Sequence, residues 1–191
     1  MLKPDDLINK VKSYNKFLNP ETLNKAYHFA LKAHENQKRD SGDPYLIHPV
    51  AVANILTELK LDSATIATGL LHDTIEDTHA TYQTIKHEFG QEVADLVEGV
   101  TKISAFENQA LTNSRAENFR KLIIATSKDI RVLLVKIADR LHNMRTINAI
   151  DDVQRRERIS KETMEIYSPL ADRMGMNRIR DELEDLSFDV L

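Results

Sequence analysis

Apolar residues recur along this chain at helical spacing, and this periodicity constrains the fold more than any other feature of the sequence. One stripe comprises Leu23, Ala26, Tyr27, Ala30 and Leu31, a spacing that places their side chains on one face of an α-helix. Only five Gly and five Pro occur in 191 residues, too few for a protein built from turns and short strands. We therefore predict an all-α fold, a helical bundle of about nine to eleven helices.

Residues that start and stop helices divide the periodic segments. Pro49 suits the first turn of one helix, and Thr81 and Asp129 are the predicted N-caps of two others. A further helix is predicted around residues 122–125. The segment from Ala105 to Ser114 has the weakest pattern and is the predicted mobile loop.

The composition excludes several classes of protein. The chain has no Cys, so any transition-metal site must use His, Asp and Glu instead of thiolates. The net charge is −4 and no long basic block occurs, which argues against a DNA-binding protein. No apolar run is long enough to cross a membrane, and the N-terminus lacks the apolar core of a signal peptide. We therefore expect a cytoplasmic protein without a membrane partner.

One short segment, HDTIED, concentrates an imidazole and three carboxylates at His72, Asp73, Glu76 and Asp77. If the segment is helical, Glu76 lies over His72 and Asp77 over Asp73, because residues four apart share a face. Clustered carboxylates repel one another, and a bound divalent metal relieves that repulsion best. The alternative is a solvated acidic helix end, in which His72 only makes a hydrogen bond.

Two further segments contain residues suited to the same metal. His48 stands at the entrance of a predicted helix, and its alternative role is that of a capping or loop histidine. Asp139 follows an intensely apolar run, where a carboxylate is costly unless it is paired or bound to a metal. Its alternative is an ordinary ion pair with Lys136 or Arg140. Asn143 lies on the same helix face as Asp139 and can hydrogen-bond a ligand.

These segments together offer a mixed set of nitrogen and oxygen ligands, His48, His72, Asp73 and Asp139. Such a set suits Mn, Fe, Co or Zn better than Ca or Mg. A metal of this kind polarises phosphoryl oxygens and makes water easier to deprotonate, which points to hydrolysis of a phosphate compound. Nearby basic residues would offset the charge of an anionic substrate, although each is otherwise an ordinary surface or ion-pair residue. They are Lys38, Arg39, Lys136, Arg140 and Arg145.

The same segments, in this order, resemble the hydrolase domain of the Rel/Spo homologue family, the bacterial alarmone synthetase-hydrolases. The resemblance runs from about Leu23 to the end of the sequence. Its motifs are SGDPYLIHPV, HDTIED, GVTKIS, KIADRLHNMRT and ETMEIYSPLADRMGMNRIRDELEDLSF. A His-Asp doublet alone indicates only a superfamily, whereas HDTIED together with ADRLHNMRT is far more specific.

The resemblance implies an HD-domain fold that hydrolyses the 3′-pyrophosphate of ppGpp or pppGpp in the stringent response, giving GDP or GTP plus pyrophosphate. It implies one Mn²⁺ ion with the ligands His48, His72, Asp73 and Asp139. Glu76 and Asp77 match the pair that assists activation of the attacking water. The predicted substrate-binding residues are Arg39, Ser41, Asn143 and Thr146 by resemblance, and Lys136 and Arg140 because of their charge.

Two positions depart from the family pattern. Asp40 stands where members often carry Lys or another small polar residue, and its negative charge is expected either to weaken phosphate binding or to face solvent. Ala149 is smaller than the Leu expected against the base, which predicts a looser wall at that point.

The predicted hydrolase domain comprises residues 1–176, and residues 177–191 are predicted to lead toward a synthetase domain that this sequence does not contain. We therefore expect a fragment of a longer bifunctional enzyme or a naturally truncated copy, with a synthetase and regulatory region as partners in the longer chain. Three alternatives stay open: an HD phosphohydrolase for another nucleotide, a catalytically silent regulatory module, and a helical scaffold without a ligand.

Overall fold

The computed structural model describes residues 1–109, 124 and 128–191. Its α-helices are α1 (Pro4–Lys12), α2 (Pro20–Ala33), α3 (Ile47–Glu58), α4 (Ser63–Leu71), α5 (Thr74–Asp77), α6 (Tyr82–Phe89), α7 (Gln91–Gln109), α8 (Ile130–Arg145), α9 (Val153–Glu162), α10 (Ser168–Arg173) and α11 (Asn177–Phe188). A 3-10 helix, Ile147–Ala149, follows α8, and a π-helical turn, Thr163–Tyr167, joins α9 to α10. The described residues form no β-strand, so the all-α prediction is confirmed.

Capping residues fix where two of the helices begin. The Thr81 hydroxyl accepts a hydrogen bond from the Thr84 N–H (3.2 Å) at the start of α6. The Asp129 carboxylate accepts one from the Arg131 N–H (3.0 Å) at the start of α8. Both N-caps agree with the sequence prediction. α6 ends at Phe89, and its C-cap Gly90 has a φ of 88°, in the left-handed region that glycine tolerates.

α7 extends into a segment that was predicted to be a loop. Residues 105–109 are helical, and the loop prediction is wrong there because tertiary contacts hold the last turns of the helix. Glu107, for example, forms an ion pair with the buried Lys136 (2.8 Å). The rest of the predicted loop, residues 110–114, and most of the helix predicted around residues 122–125 lie outside the described residues.

The close packing of α3 against α4 brings two histidines together. A Cβ on Gly69 would lie 2.6 Å from Leu56 Cδ1, so the absence of a side chain permits this approach. α3 begins with Pro49 in its first turn, as predicted. The start of α3 therefore lies beside the end of α4, where the His48 and His72 ring centroids are 5.2 Å apart.

α8 connects the candidate site to the C-terminal part of the fold. Most of its side chains are buried, and it packs against α3, α4 and α7 and also against α11. α11 buries Leu183 completely and pairs Glu182 with Arg145 (2.6 Å). The domain boundary after residue 176 stays a prediction. Within the described residues, no helix has both the length and the apolar character that a membrane span requires.

Candidate metal centre and nucleotide cavity

His72 and Asp73 lie between two helices rather than inside one. α4 ends at Leu71 and α5 begins at Thr74, so the helical turn expected over HDTIED is interrupted. The His72 Nδ1–H donates to the Gly69 carbonyl (2.7 Å), and the Thr74 hydroxyl donates to the Leu71 carbonyl (2.7 Å). These side chains take the carbonyls that the next helical turn would otherwise use.

Two imidazoles and two carboxylates meet at this break. His48 Nε2 lies 3.0 Å from Asp139 Oδ1 and 3.5 Å from Asp73 Oδ2. His72 Nε2 lies 3.0 Å from Asp73 Oδ2 and 3.7 Å from Asp139 Oδ1. His48, His72 and Asp139 each offer a ligand atom within 4.8 Å of the others, and Asp73 contacts both imidazoles. The structure thus brings together the four predicted ligands, which we call the His/Asp cluster.

The inner face of His72 shows that the cluster fits a cation. Its Nδ1 is bonded to the backbone, while its buried Nε2 lies 3.0 Å from Asp73 Oδ2 without forming a hydrogen bond of acceptable geometry. A neutral ring held in this way presents a lone pair to carboxylate oxygens, which is repulsive until a positive charge lies between them. Burial opposes protonation of His72, but the Asp73 and Asp139 carboxylates outweigh it and raise its pKa well above the usual value. Imidazole and carboxylate donors fit a divalent transition metal.

His142 orients His48 from the side opposite the cluster. The two Nδ1 atoms are 2.7 Å apart and both rings are buried. If His48 carries its proton on Nδ1, it donates to His142 and keeps Nε2 free for the cluster. Burial, followed by the charges of His48 and Arg39, lowers the pKa of His142 to about 3. His142 is therefore a neutral acceptor near pH 7.

Asp139 combines the two roles that its sequence context left open. Its Oδ2 accepts a hydrogen bond from Lys136 Nζ (2.9 Å), which is the ordinary ion pair. Its Oδ1 faces the imidazoles and accepts a hydrogen bond from Asn143 Nδ2 (2.8 Å). Burial opposes ionisation, but the nearby Lys136 charge and the two histidines hold the pKa of Asp139 well below its usual range. The carboxylate is therefore charged and held from two sides.

Lys136 and Arg140 are charge-compensated in the structure. Both are buried, and both pair with Glu107, at 2.8 Å and 3.0 Å respectively. Arg140 also lies 3.4 Å from Glu162 and stacks over the Tyr167 ring, 4.3 Å from its centroid. The positions of Lys136 and Arg140 are therefore fixed by ion pairs, and their positive charges are largely neutralised by Glu107 and Glu162.

Glu76 and Asp77 lie exposed on α5, beside the cluster. The Asp77 N–H donates to the Asp73 carbonyl (2.9 Å), so the predicted four-residue relation between these two aspartates is kept. Partial burial, followed by the charges of Asp77 and Asp73, raises the pKa of Glu76. Partial burial, followed by the charge of Asp73, also raises the pKa of Asp77. Both carboxylates are thus made more basic than an isolated side chain.

A cavity of about 870 Å³ adjoins the His/Asp cluster. All the predicted substrate-binding residues line it, namely Arg39, Ser41, Lys136, Arg140, Asn143 and Thr146. Arg39 Nη2 donates to Asn143 Oδ1 (3.2 Å) and to Thr146 Oγ1 (3.3 Å), which joins the loop before α3 to the end of α8. The volume and the convergent polar groups are those of a small-molecule site.

The two positions that depart from the family pattern also line this cavity. Asp40 is exposed, and its Oδ2 lies 3.4 Å from Arg155 Nη1. Its charge is therefore partly matched at the surface by a cation of α9. Ala149 belongs to the 3-10 helix after α8 and leaves that wall without a large side chain.

The sequence model of the HD domain family matches residues 26–177, which is most of the chain. The chain belongs to the HD-domain family. The match includes every residue of the His/Asp cluster and all the predicted substrate-binding residues. The family prediction made from the His-Asp motif is therefore confirmed.

Several curated proteins with sequences similar to this HD domain are Rel/Spo homologues. The HD domain is 53% identical, over 98% of its length, to the GTP pyrophosphokinase rsh of Brucella melitensis biotype 1. It is 54% identical, over 88% of its length, to the bifunctional (p)ppGpp synthase/hydrolase SpoT of Escherichia coli strain K12. A protein of Escherichia coli O157:H7 named guanosine-3′,5′-bis(diphosphate) 3′-pyrophosphohydrolase matches equally well, at 54% over 88%. The Rel/Spo resemblance is thereby confirmed.

The HD domain is much shorter than these relatives but matches a solved structure over nearly the whole length of both chains. It spans about a quarter of the relatives' length, between 24% and 25%. A structure of a metazoan orthologue of SpoT, described as hydrolysing ppGpp, superimposes with a TM-score of 0.61 at 21% identity. That match covers 92% of this chain and 96% of the other, and it shows that the two share a fold.

Three residues around the site were not predicted from the sequence, Tyr45, His142 and Glu107. His142 follows Asp139 by three positions and so shares its helix face, a signal that could have identified it. Tyr45 stands three residues before His48 in the motif PYLIH, and its hydroxyl donates to Asp73 Oδ2 (2.6 Å). Glu107 carried no signal, because it lies in the segment with the weakest helical pattern.

Proposed function

We propose that this HD domain removes the 3′-pyrophosphate of guanosine 3′,5′-bis(diphosphate) and of its pentaphosphate, giving GDP or GTP plus pyrophosphate. The observation that carries the proposal is the cavity of about 870 Å³, whose walls combine the predicted substrate-binding residues with side chains that bond to the His/Asp cluster. The substrate class is supported by relatives named as a (p)ppGpp synthase/hydrolase and as a 3′-pyrophosphohydrolase.

The proposed cofactor is one Mn²⁺ ion held by His48, His72, Asp73 and Asp139. The nitrogen and oxygen donors favour a transition metal over Ca²⁺ or Mg²⁺. The buried His72 Nε2, which faces the Asp73 and Asp139 carboxylates without a hydrogen bond, supports the presence of a cation. When bound, such an ion supplies Lewis-acid polarisation of the phosphoryl group and makes water easier to deprotonate.

The cavity walls suggest how the nucleotide is oriented. The Arg39 guanidinium lies over the Tyr45 ring, 5.7 Å from its centroid, and its planar face suits stacking on a purine base. Asn143 and Thr146 lie next to it and offer polar groups to the nucleoside. Lys38, Arg158 and Lys161 also line the cavity and add positive charge for the phosphates. Orientation by fixed groups of this kind lowers the entropic cost of reaching the transition state.

The reaction consumes one water molecule. The water oxygen forms a bond to the phosphorus attached to the ribose 3′-oxygen, and the bond between that phosphorus and the 3′-oxygen breaks. The water loses a proton, for which Glu76 and Asp77 are the proposed acceptors, and the ribose 3′-oxygen gains one as it leaves. The raised pKa values of these carboxylates support the assignment, because a stronger base accepts a proton more readily in the transition state.

Turnover of purified protein with ppGpp and pppGpp tests the proposal. Protein loaded with Mn²⁺ is expected to release pyrophosphate together with GDP or GTP, separated by anion-exchange chromatography, and chelation followed by re-addition of Mn²⁺ should abolish and restore the reaction. The matched substrate control is GTP, which has no 3′-pyrophosphate. Faster release of phosphate or pyrophosphate from GTP or another nucleotide would indicate an HD phosphohydrolase with a different substrate. Absence of both metal and turnover would indicate a silent regulatory module.

The length of the relatives supports a further part of the proposal. Because the HD domain corresponds to about a quarter of each, we propose that it acts in the cytoplasm alongside a synthetase and regulatory region. Copurification of a synthetase activity with the HD domain, expressed from its own genomic locus with an affinity tag, checks this part separately. Recovery of the HD domain alone would contradict it.

A further inference from the structure

The Tyr45 hydroxyl lies where the nucleotide cavity meets the His/Asp cluster. It donates a hydrogen bond to Asp73 Oδ2 (2.6 Å) and also lies 3.3 Å from Asp77 Oδ2. The side chain lines the cavity. One phenol therefore contacts a proposed metal ligand and a proposed proton acceptor, which are also joined by the hydrogen bond from the Asp77 N–H to the Asp73 carbonyl.

We propose that Tyr45 is a positioning residue that holds the Asp73 carboxylate for the metal and directs the Asp77 carboxylate toward the attacking water. The inference rests on the proposed function and deepens it. It concerns the hydroxyl group rather than the ring, since only the hydroxyl contacts the two aspartates.

A phenol has a single proton to donate, yet two carboxylates face this one. In the structure the shorter contact is with Asp73, so Asp73 holds the hydrogen bond and its carboxylate is fixed. The phenol oxygen also lies 3.3 Å from Asp77 Oδ2, so both carboxylates are positioned by the same hydroxyl. Tyr45 thus links the position of a proposed metal ligand to that of the proposed proton acceptor.

The phenol is held rigidly enough to serve this purpose. Its ring packs against the buried His34 ring, with centroids 4.7 Å apart. His34 Nδ1 is hydrogen-bonded to Gln37 Oε1 (2.8 Å), and Gln37 Nε2 donates to the Asp77 carbonyl (2.6 Å). The segment that follows α2 therefore fixes both the Tyr45 ring, through His34, and the Asp77 backbone, through Gln37. A hydrogen-bond partner of a metal ligand needs this kind of support.

Another tyrosine provides a matched control. The Tyr14 hydroxyl donates to the Leu61 carbonyl (2.7 Å), so it also makes one hydrogen bond in a partly buried position. Unlike Tyr45, neither Tyr14 nor Leu61 has a hydrogen bond or ion pair with the His/Asp cluster. Tyr14→Phe therefore removes a comparable hydrogen bond that has no part in the site.

The test compares wild type, Tyr45→Phe and Tyr14→Phe by calorimetric titration with Mn²⁺ alone and by steady-state kinetics with ppGpp. Tyr45→Phe keeps the ring that packs against Arg39 and His34 and loses only the hydroxyl. We expect its Mn²⁺ dissociation constant to rise about 10-fold or more, the usual effect of removing a partner of a ligand. We expect kcat at saturating Mn²⁺ to fall about 10-fold, with KM for ppGpp changed less than about 2-fold. Tyr14→Phe should leave all three quantities unchanged.

A double variant tests the link to Asp77. If Tyr45 acts through Asp77, the loss of kcat caused by Tyr45→Phe should be much smaller in an Asp77→Asn background than in wild type. Equal Mn²⁺ affinity and equal kcat for Tyr45→Phe and wild type would overturn the inference, as would equal effects of Tyr45→Phe and Tyr14→Phe. If wild type itself binds no Mn²⁺, the proposed function fails first, and this result is distinct from the other two.

Discussion

At the scale of single residues, the hydrogen bond between His48 and His142 determines which ring nitrogen of His48 can bind a metal. His48 can offer Nε2 to a metal only if its proton stays on Nδ1, and His142 Nδ1 is the acceptor at 2.7 Å. We therefore predict that His142→Leu weakens Mn²⁺ binding about 10- to 100-fold, the range typical for partners of metal-binding histidines. Calorimetric titration with Mn²⁺ measures the effect.

Two variants separate this role from simple packing. His142→Asn keeps a polar group near the place of Nδ1 and should retain more of the Mn²⁺ affinity than His142→Leu. His87→Leu, which alters an exposed histidine on α6, should bind Mn²⁺ like wild type. Equal affinity of His142→Leu and wild type would show that His48 needs no orienting partner.

Substitutions in the His/Asp cluster and in the exposed carboxylates of α5 are predicted to have different effects on Mn²⁺ binding and on turnover. Asp73→Ala removes a side chain that contacts both imidazoles, so it should abolish Mn²⁺ binding and turnover together. Glu76→Gln should retain Mn²⁺ and lose about 10²–10⁴-fold in rate, as expected for a lost proton acceptor. Metal analysis and turnover of the same preparations distinguish the two. Wild-type turnover by Glu76→Gln would remove Glu76 from the mechanism.

Single residues also show what the sequence can and cannot predict. Short sequence motifs identify the candidate metal ligands, because each motif places a histidine or an aspartate where it can act as a ligand. These residues are His48, His72, Asp73 and Asp139. Partners that orient them depend on contacts across long separations, such as the 94 positions between His48 and His142. The spacing of Asp139 and His142 on one helix face marks His142 as a candidate, but its bond to His48 appears only in the folded chain. The same is true of the bond between Tyr45 and Asp73.

At the scale of elements, α8 carries much of the site and is supported by its N-cap residue, Asp129. The Asp129 carboxylate caps the helix through the Arg131 N–H (3.0 Å) and pairs with the Arg131 guanidinium (2.7 Å). Asp129→Ala is predicted to lower the free energy of unfolding by about 1 kcal/mol, the usual cost of a lost N-cap. Urea denaturation at pH 7 measures the loss. Asp129→Asn keeps an acceptor for the cap and should lose less.

The same cap gives a signed pH dependence. Hydrogen bonds from Arg131 hold the pKa of Asp129 below its usual value. A lowered pKa in the folded state means that the charge-dependent part of the stability is complete above the unfolded pKa of about 4 and disappears as pH falls through the folded pKa. The difference in unfolding free energy between wild type and Asp129→Asn should therefore shrink below about pH 4. A difference that stays constant down to pH 3 would contradict this account.

Element types were easier to predict than element ends. The apolar stripe of α2 and the buried run of α8 have a period that only a helix satisfies. Where side chains compete for backbone carbonyls, as His72 and Thr74 do, the helix breaks although the pattern continues. Where a tertiary ion pair supports a weak pattern, as Glu107 does at the end of α7, the helix continues although the pattern fades.

At the scale of the whole molecule, the C-terminal helix joins the fold through its apolar face. α11 packs on α8, on the π-helical turn and on α10, and it buries Leu183 completely. The sequence predicted a lead toward another domain here, from resemblance and from charge. It could not predict that α11 packs on α8, because one apolar stripe does not reveal its partner.

This packing predicts that α11 contributes to the stability of the HD domain itself. Leu183→Ala should lower the free energy of unfolding by about 2–5 kcal/mol, because it leaves a cavity in a fully buried contact. Phe188→Ala is the matched control on the same helix: its side chain is 79% exposed, so the change should stay within about 0.5 kcal/mol. Urea denaturation of both variants measures the two values. Equal stabilities would mean that α11 only leads toward another domain and that the fold of residues 1–176 stands without it.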